Sequence, residues 1–127
     1  MVGTEAKLVA ISPQFLVLDL QAALDFYVDK LGFTVAFIHG DFYAGVRRDG
    51  ILIHLKLSDM PDPGRPMKQR EEHLDAYIDV DDVESLYAEF QRRGVTFAQR
   101  LETKPWGKRE FVVWDNSGFI LYFGQDA

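Results

Sequence analysis

Asp49-Gly50-Ile51-Leu52-Ile53-His54-Leu55 and Ser117-Gly118-Phe119-Ile120-Leu121-Tyr122-Phe123 follow one local plan twice, 68 positions apart. In each, a turn ending in glycine opens a β-branched and aromatic run, the pattern of a strand returning from a hairpin. A second pair, Leu31-Gly32-Phe33 and Arg93-Gly94-Val95, repeats at an offset of 62. There the glycine suits the left-handed position that ends a helix. Two repeats in the same order mean a duplicated supersecondary unit, and such units share a core.

Working outward from the first copy, Phe15–Leu18 reads as a strand, with Pro13 at its entry. Asp19 is a plausible N-cap, and Leu20, Leu24, Tyr27, Val28 and Leu31 follow at helical spacing. Phe33–Ile38, Phe42–Arg47 and Ile51–Leu57 read as strands. Around the second copy, His73–Val80 reads as a strand, and Asp81 or Asp82 caps a helix carrying Val83, Leu86, Tyr87 and Phe90. Val95–Leu101, Glu110–Trp114 and Phe119–Phe123 complete that half, the last two joined by the turn Asp115-Asn116-Ser117-Gly118. Each half is therefore β-α-β-β-β. The expectation is a single domain over 1–127, with an internal repeat at 8–57 and 73–124. Residues 58–72, which hold three of the five prolines, read as a solvated linker.

The larger offset of the hairpin pair reflects extra length carrying Trp106 between Pro105 and Gly107. A tryptophan on such a loop reads in two ways: a ligand platform, or a cover folded back on the core.

Composition bounds the rest. A chain of 127 residues that is 47% hydrophobic can bury a core without staples. The absence of cysteine excludes disulfides, thiolate metal sites and a cysteine nucleophile. A net charge of -6 argues against nucleic-acid binding and is compatible with a cationic small ligand. No stretch reads as a signal peptide or a membrane span, so a cytoplasmic location is expected. No phosphate loop or nucleophilic triad is recognisable.

The local motifs carry a resemblance. Asp19-Leu20, Phe26-Tyr27, Leu31-Gly32-Phe33 and Ala44-Gly45-Val46-Arg47-Arg48-Asp49-Gly50 lie in the first half. Leu86-Tyr87-Ala88-Glu89-Phe90, Pro105-Trp106-Gly107, Arg109-Glu110-Phe111 and Asp115-Asn116-Ser117-Gly118 lie in the second. The chain resembles the vicinal oxygen chelate superfamily of glyoxalases, extradiol dioxygenases and bleomycin-resistance proteins, and most resembles the last. The Pro-Trp-Gly and Arg-Glu-Phe pieces are the most specific.

The resemblance implies an α+β fold of two βαβββ modules, whose curved mixed sheets form a cleft. It implies a homodimer, with the first strand exchanged in some members, and a ligand groove at the subunit interface. It also implies a non-catalytic role: sequestering a flat, cationic, bleomycin-type antibiotic. Trp106 would stack on the ligand, with Phe37 and either Phe42 or Tyr43 on the opposite wall and His54 facing the cleft. Core packing is the competing reading for Phe37, Phe42 and Tyr43, and a satisfied core histidine for His54. One of Arg109 and Glu110 would be an inward charge, or both lie on a solvated face.

The enzymes of the superfamily hold one divalent metal, through His, Glu or Gln on the first and last strands of each module. Mapped by helix cap and hairpin glycine, those positions are Ser12, His54, Asp75 and Tyr122. Only His54 and Asp75 are reasonable ligands, and about three are needed. A two-residue slip keeps the strand face and would offer Gln14 and His73. No cofactor is therefore the leading expectation. A metal-dependent enzyme of the same fold, or a metabolite-binding module without a resistance role, are the alternatives.

Overall fold

The computed structural model describes residues 3–127. The first half supplies β1 (Gln14–Val17), β2 (Thr34–His39), β3 (Tyr43–Arg48) and β4 (Ile51–Leu57), ordered β1-β4-β3-β2. The second supplies β5 (Ala76–Asp79), β6 (Phe97–Thr103), β7 (Lys108–Trp114) and β8 (Ile120–Asp126), ordered β5-β8-β7-β6. In each sheet the first strand pairs parallel with the fourth, and the other neighbours are antiparallel. The fold is thus α+β, two βαβββ modules with mixed sheets.

The helix of each half sits where the repeat puts it. Asp19 accepts from the Ala22 amide at 3.0 Å to cap α1 (Leu20–Asp25), and Asp82 accepts from Ser85 at 3.1 Å to cap α3 (Val83–Arg92). Helical spacing predicts α-helix as far as Leu31. The structure instead widens into a π-helical turn over Phe26–Lys30. That turn buries Tyr27 fully and lets its hydroxyl donate to Asp115 of the other half at 2.7 Å. Gly32 and Gly94 end the two helical segments at φ 73° and 78°, as the left-handed stop requires.

One face of each strand feeds a common core. Phe15, Val17, Ala44, Val46, Ile53 and Leu55 from the first sheet cluster with Ile78, Phe111, Val113, Leu121 and Phe123 from the second. Polar links fasten the halves, among them Lys30 Nζ on the Arg93 carbonyl at 3.1 Å. Tyr27 meets Asp115, whose other oxygen accepts from the Ser117 and Phe119 amides and shapes the β7–β8 turn. Arg48 grips Glu89 with two bonds of 2.8 Å. Arg93 of the second half, itself paired to Glu89, donates to the Asp29 carbonyl of the first. Arg48 and Arg93 hold the Glu89 carboxyl down at about 2, against some opposition from burial.

Residues 58–72 differ from expectation. Arg65–Arg70 forms a helix, α2, with Pro66 in its first turn, where proline is tolerated. Arg65 is buried. Its guanidinium forks onto Asp75 at 2.6 and 2.8 Å, reaches the Gly118 carbonyl, and lies 4.0 Å over the Phe119 ring. Of the prolines that read as solvated linker, Pro61 and Pro63 lead into an anchored segment and Pro66 lies within it.

Candidate binding faces and their relatives

The faces of the sheets away from the core are open. On the first, register aligns Gln14 (β1), His54 (β4), Gly45 (β3) and Phe37 (β2) in one row. Gly45 exists for Phe37: a Cβ there would overlap the phenylalanine ring. The Phe37 ring lies edge-on to His54 at 5.3 Å and stacks near Tyr43 at 6.2 Å. Tyr43 hydrogen-bonds His54 Nδ1 at 2.8 Å and accepts from Gln14 Nε2 at 2.9 Å. So Phe37, Tyr43 and His54 share one cluster, off the core. Phe42 sits in the turn before β3, 52% exposed, with its ring edge-on to Tyr43 at 6.4 Å. The alternation rule predicts that one of Phe42 and Tyr43 is core. Neither is, because the strand begins only at Tyr43.

On the second face the equivalent row is Tyr77 (β5), Tyr122 (β8), Val112 (β7) and Gln99 (β6). One step along, Glu110 opposes Gly124. Glu110 is the inward member of the Arg109–Glu110 pair and is 2% exposed; Tyr77 donates to its Oε2 at 2.7 Å. Tyr77 crosses β8 through the space left by Gly124, where a Cβ would overlap the phenol oxygen. Burial, then the Glu110 hydrogen bond and charge, push the Tyr77 phenol well up. Arg109 points the other way, to Glu84 at 2.5 Å.

Trp106 caps this face. Lys104-Pro105-Trp106-Gly107 is a four-residue turn, closed by the Gly107 amide on the Lys104 carbonyl at 3.1 Å, with Gly107 at φ 86°. The indole is 67% exposed, so it does not cover the core. It rims a cavity of about 570 Å³, lined also by Glu72, Gln99, Glu110 and Tyr122. None of Phe37, Phe42, Tyr43 or His54 lines that cavity. One chain therefore carries two separate aromatic clusters, one per sheet. A second cavity of equal volume lies at the seam between the halves, lined by Arg48, Asp82 and Glu89 among others, and holds none of the expected site residues.

The metal positions shift once the register is known. His54 pairs with Gln14, not Ser12, and Tyr122 pairs with Tyr77, not Asp75. Asp75 serves structure: it accepts from Arg65, Lys68 and the Ile120 amide, and these bonds hold its carboxyl below the usual range although burial opposes them. His73 precedes β5, exposed, its amide on the Lys68 carbonyl. The quartet is thus Gln14, His54, Tyr77 and Tyr122. Only one imidazole and one amide oxygen in it suit a divalent ion, both on the first sheet and short of the three ligands a site needs, so the donor set does not fit a metal centre. Among the described residues no three His, Asp or Glu side chains converge as a metal site. The sequence reading missed Tyr77 and the two glycines. The visible signal was the strand alternation around Ile78, which turns Tyr77 away from the core.

Two βαβββ modules presenting aromatic outer faces define a tandem-module, cleft-forming protein. The chain belongs to the Glyoxalase/Bleomycin resistance protein/Dioxygenase superfamily, whose model matches residues 10–123. It is similar to the bleomycin-binding protein of the bleomycin producer Streptomyces verticillus, solved with copper(II)-bleomycin. That match has 28% identity and TM-score 0.72, over 94% of this chain and 97% of that one. A glyoxalase/bleomycin resistance protein/dioxygenase from Alicyclobacillus acidocaldarius matches at 25% identity and TM-score 0.77, over 93% and 91%. The bleomycin resistance determinant encoded on transposon Tn5 shares the fold at 17% identity and TM-score 0.74, over 94% and 98%. No curated protein sequence matches the chain. No described helix is long and apolar enough to cross a membrane.

Proposed function

We propose that this chain is a non-catalytic small-molecule-binding protein of the bleomycin-resistance type, acting as a cytoplasmic homodimer. The observation that carries the reading is the split site. Exposed Trp106 on the β6–β7 turn of one sheet and half-buried Phe37, Tyr43 and His54 on the outer face of the other line no common cavity within the chain. Apposing the second sheet of one protomer to the first sheet of its partner gives an aromatic groove with two walls. A flat heteroaromatic would stack on Trp106 and be sandwiched from the far side, with Phe42 at the rim. Binding in the Streptomyces verticillus relative supports bleomycin as the class of ligand.

The arm before β1 supports the dimer. β1 pairs with β4 of its own chain, whereas the described segment ahead of it has no regular secondary structure, and its Leu8, Val9 and Ile11 are almost wholly exposed. Three large apolar side chains in water cost several kcal/mol relative to burial, at about 1.5–3 each. The exchanged element is this arm, with Pro13 as its hinge. The donor chemistry of Gln14, His54, Tyr77 and Tyr122 supports a role without metal catalysis.

Titration with bleomycin, followed by tryptophan fluorescence, tests the reading. Micromolar drug should quench wild type, while Trp106→Ala should weaken binding by about 1–3 kcal/mol, the worth of a stacked aromatic. No quenching at micromolar drug, or an unchanged affinity in the variant, overturns it. Deleting residues 1–12 should shift the protein from dimer to monomer in sedimentation.

A further inference from the structure

The second sheet's face holds a buried acid that makes no salt bridge among the described residues. We infer that Glu110 is the counter-charge for a cationic group on the ligand, held beneath Trp106 and aimed by Tyr77. This rests on reading that face as the ligand groove.

Glu110 is nine-tenths buried and more, and among the described residues no lysine, arginine or histidine nitrogen lies within 4.0 Å of its carboxylate. Its one side-chain donor is Tyr77. A carboxylate in that situation bears a desolvation cost that one neutral hydrogen bond does not offset. The neighbouring cations are committed elsewhere: Lys104 to Glu102, Lys108 to Asp126 at 2.8 Å, Arg109 to Glu84. Glu110 nevertheless lines the cavity under Trp106, where Glu72, Glu102 and Glu110 face Arg100 and Lys104. The arrangement fits a planar aromatic joined to a fixed cation: the ring on the indole, the charge on the carboxylate. Tyr77 is a positioning residue. It fixes the carboxylate rotamer, and Gly124 is what lets it reach.

The test uses two flat probes of one shape, N-methylquinolinium, permanently charged, and quinoline, neutral at pH 8. Binding to the full-length protein is read from the Trp106 indole resonance. Wild type should prefer the cation at least tenfold. Glu110→Gln should abolish that preference and leave quinoline affinity within twofold; Glu110→Asp, which keeps the charge, should retain part of it. Tyr77→Phe should shrink it. A preference that survives Glu110→Gln, or neither probe shifting the indole, overturns the inference. Bleomycin titrated in parallel separates the two readings. If bleomycin binds and Glu110→Gln has no effect on the quinolinium preference, the groove stands and the counter-charge role falls. If the cation preference depends on Glu110 but bleomycin does not bind, the reverse holds.

Discussion

The two open sheet faces are built on the same rung and use it differently. In the first, Gln14 of β1 reaches across β4 to Tyr43 of β3. In the second, Tyr77 of β5 reaches across β8 to Glu110 of β7. Register makes these equivalent: Gln14 opposes His54 as Tyr77 opposes Tyr122, and Tyr43 and Glu110 each sit two residues before the position facing that partner. The first face is a half-buried, neutral network that water can enter. The second is a buried carboxylate at the wall of a cavity, under an exposed indole. Duplication supplied the frame, and divergence put neutral donors on one wall and negative charge on the other.

The comparison breaks most readily at its buried member. Tyr77→Phe leaves Glu110 without its donor, and we expect a loss of about 2–3 kcal/mol in urea unfolding, because the stranded group is ionic. Gln14→Ala, the equivalent deletion on the first face, removes a bond at an exposed side chain and should cost no more than about 0.5 kcal/mol. Equal losses would mean that the rung is structural on both sides.

A second pressure is steric. Gly45→Ala puts a methyl where the Phe37 ring lies, and overpacking of this kind costs about 1–3 kcal/mol. The expected signature is specific: the ring leaves the face, and the ring-current shift on the His54 imidazole collapses. If the shift is retained, strand β3 has yielded instead of Phe37.

How far these faces were legible follows from where the periodicity is strong. Both modules, both caps and the helix-ending glycines could be read because each has a local physical cause. α2 could not, because its anchor is a tertiary one: Arg65 seeks Asp75 across ten residues and Gly118 across fifty-three. The metal-position mapping slipped by two because β1 and β5 are four residues long, too short for alternation to fix their register. Tyr43 over Phe42 likewise depends on where a strand starts, and sequence leaves such boundaries loosest. Tyr77 with Glu110 was invisible as a pair, since 33 residues separate them and only the β5–β8–β7 order joins them.

The seam between the modules answers to pH. Glu89 is held at about 2, against an ordinary 4.5, by the guanidiniums of Arg48 and Arg93. A depressed carboxyl stabilises the folded state above its unfolded value, and that stabilisation is lost as pH falls from about 4.5 through 2. After allowance for partial exposure, about 1–2 kcal/mol should disappear over that window. Glu89→Gln should flatten this part of the stability profile without touching either open face. An unaltered acid limb would place the modules' coupling in Tyr27–Asp115 and the apolar core.

The smallest expected effect is the most discriminating. Trp106 makes no hydrogen bond through its side chain among the described residues, and its one aromatic-ring partner is Lys104 Nζ at 5.9 Å. That lysine already pairs with Glu102. A cation–π contact at such an exposed site is worth about 0.5–1 kcal/mol at most, and solvent competes for it. Trp106→Ala should therefore change unfolding free energy by no more than about 0.5 kcal/mol, the range of ordinary surface substitutions. That outcome would fit the proposed role of the indole as a ligand contact. If the substitution instead costs several kcal/mol, the indole is part of the fold, and the asymmetry between the two faces is one of packing.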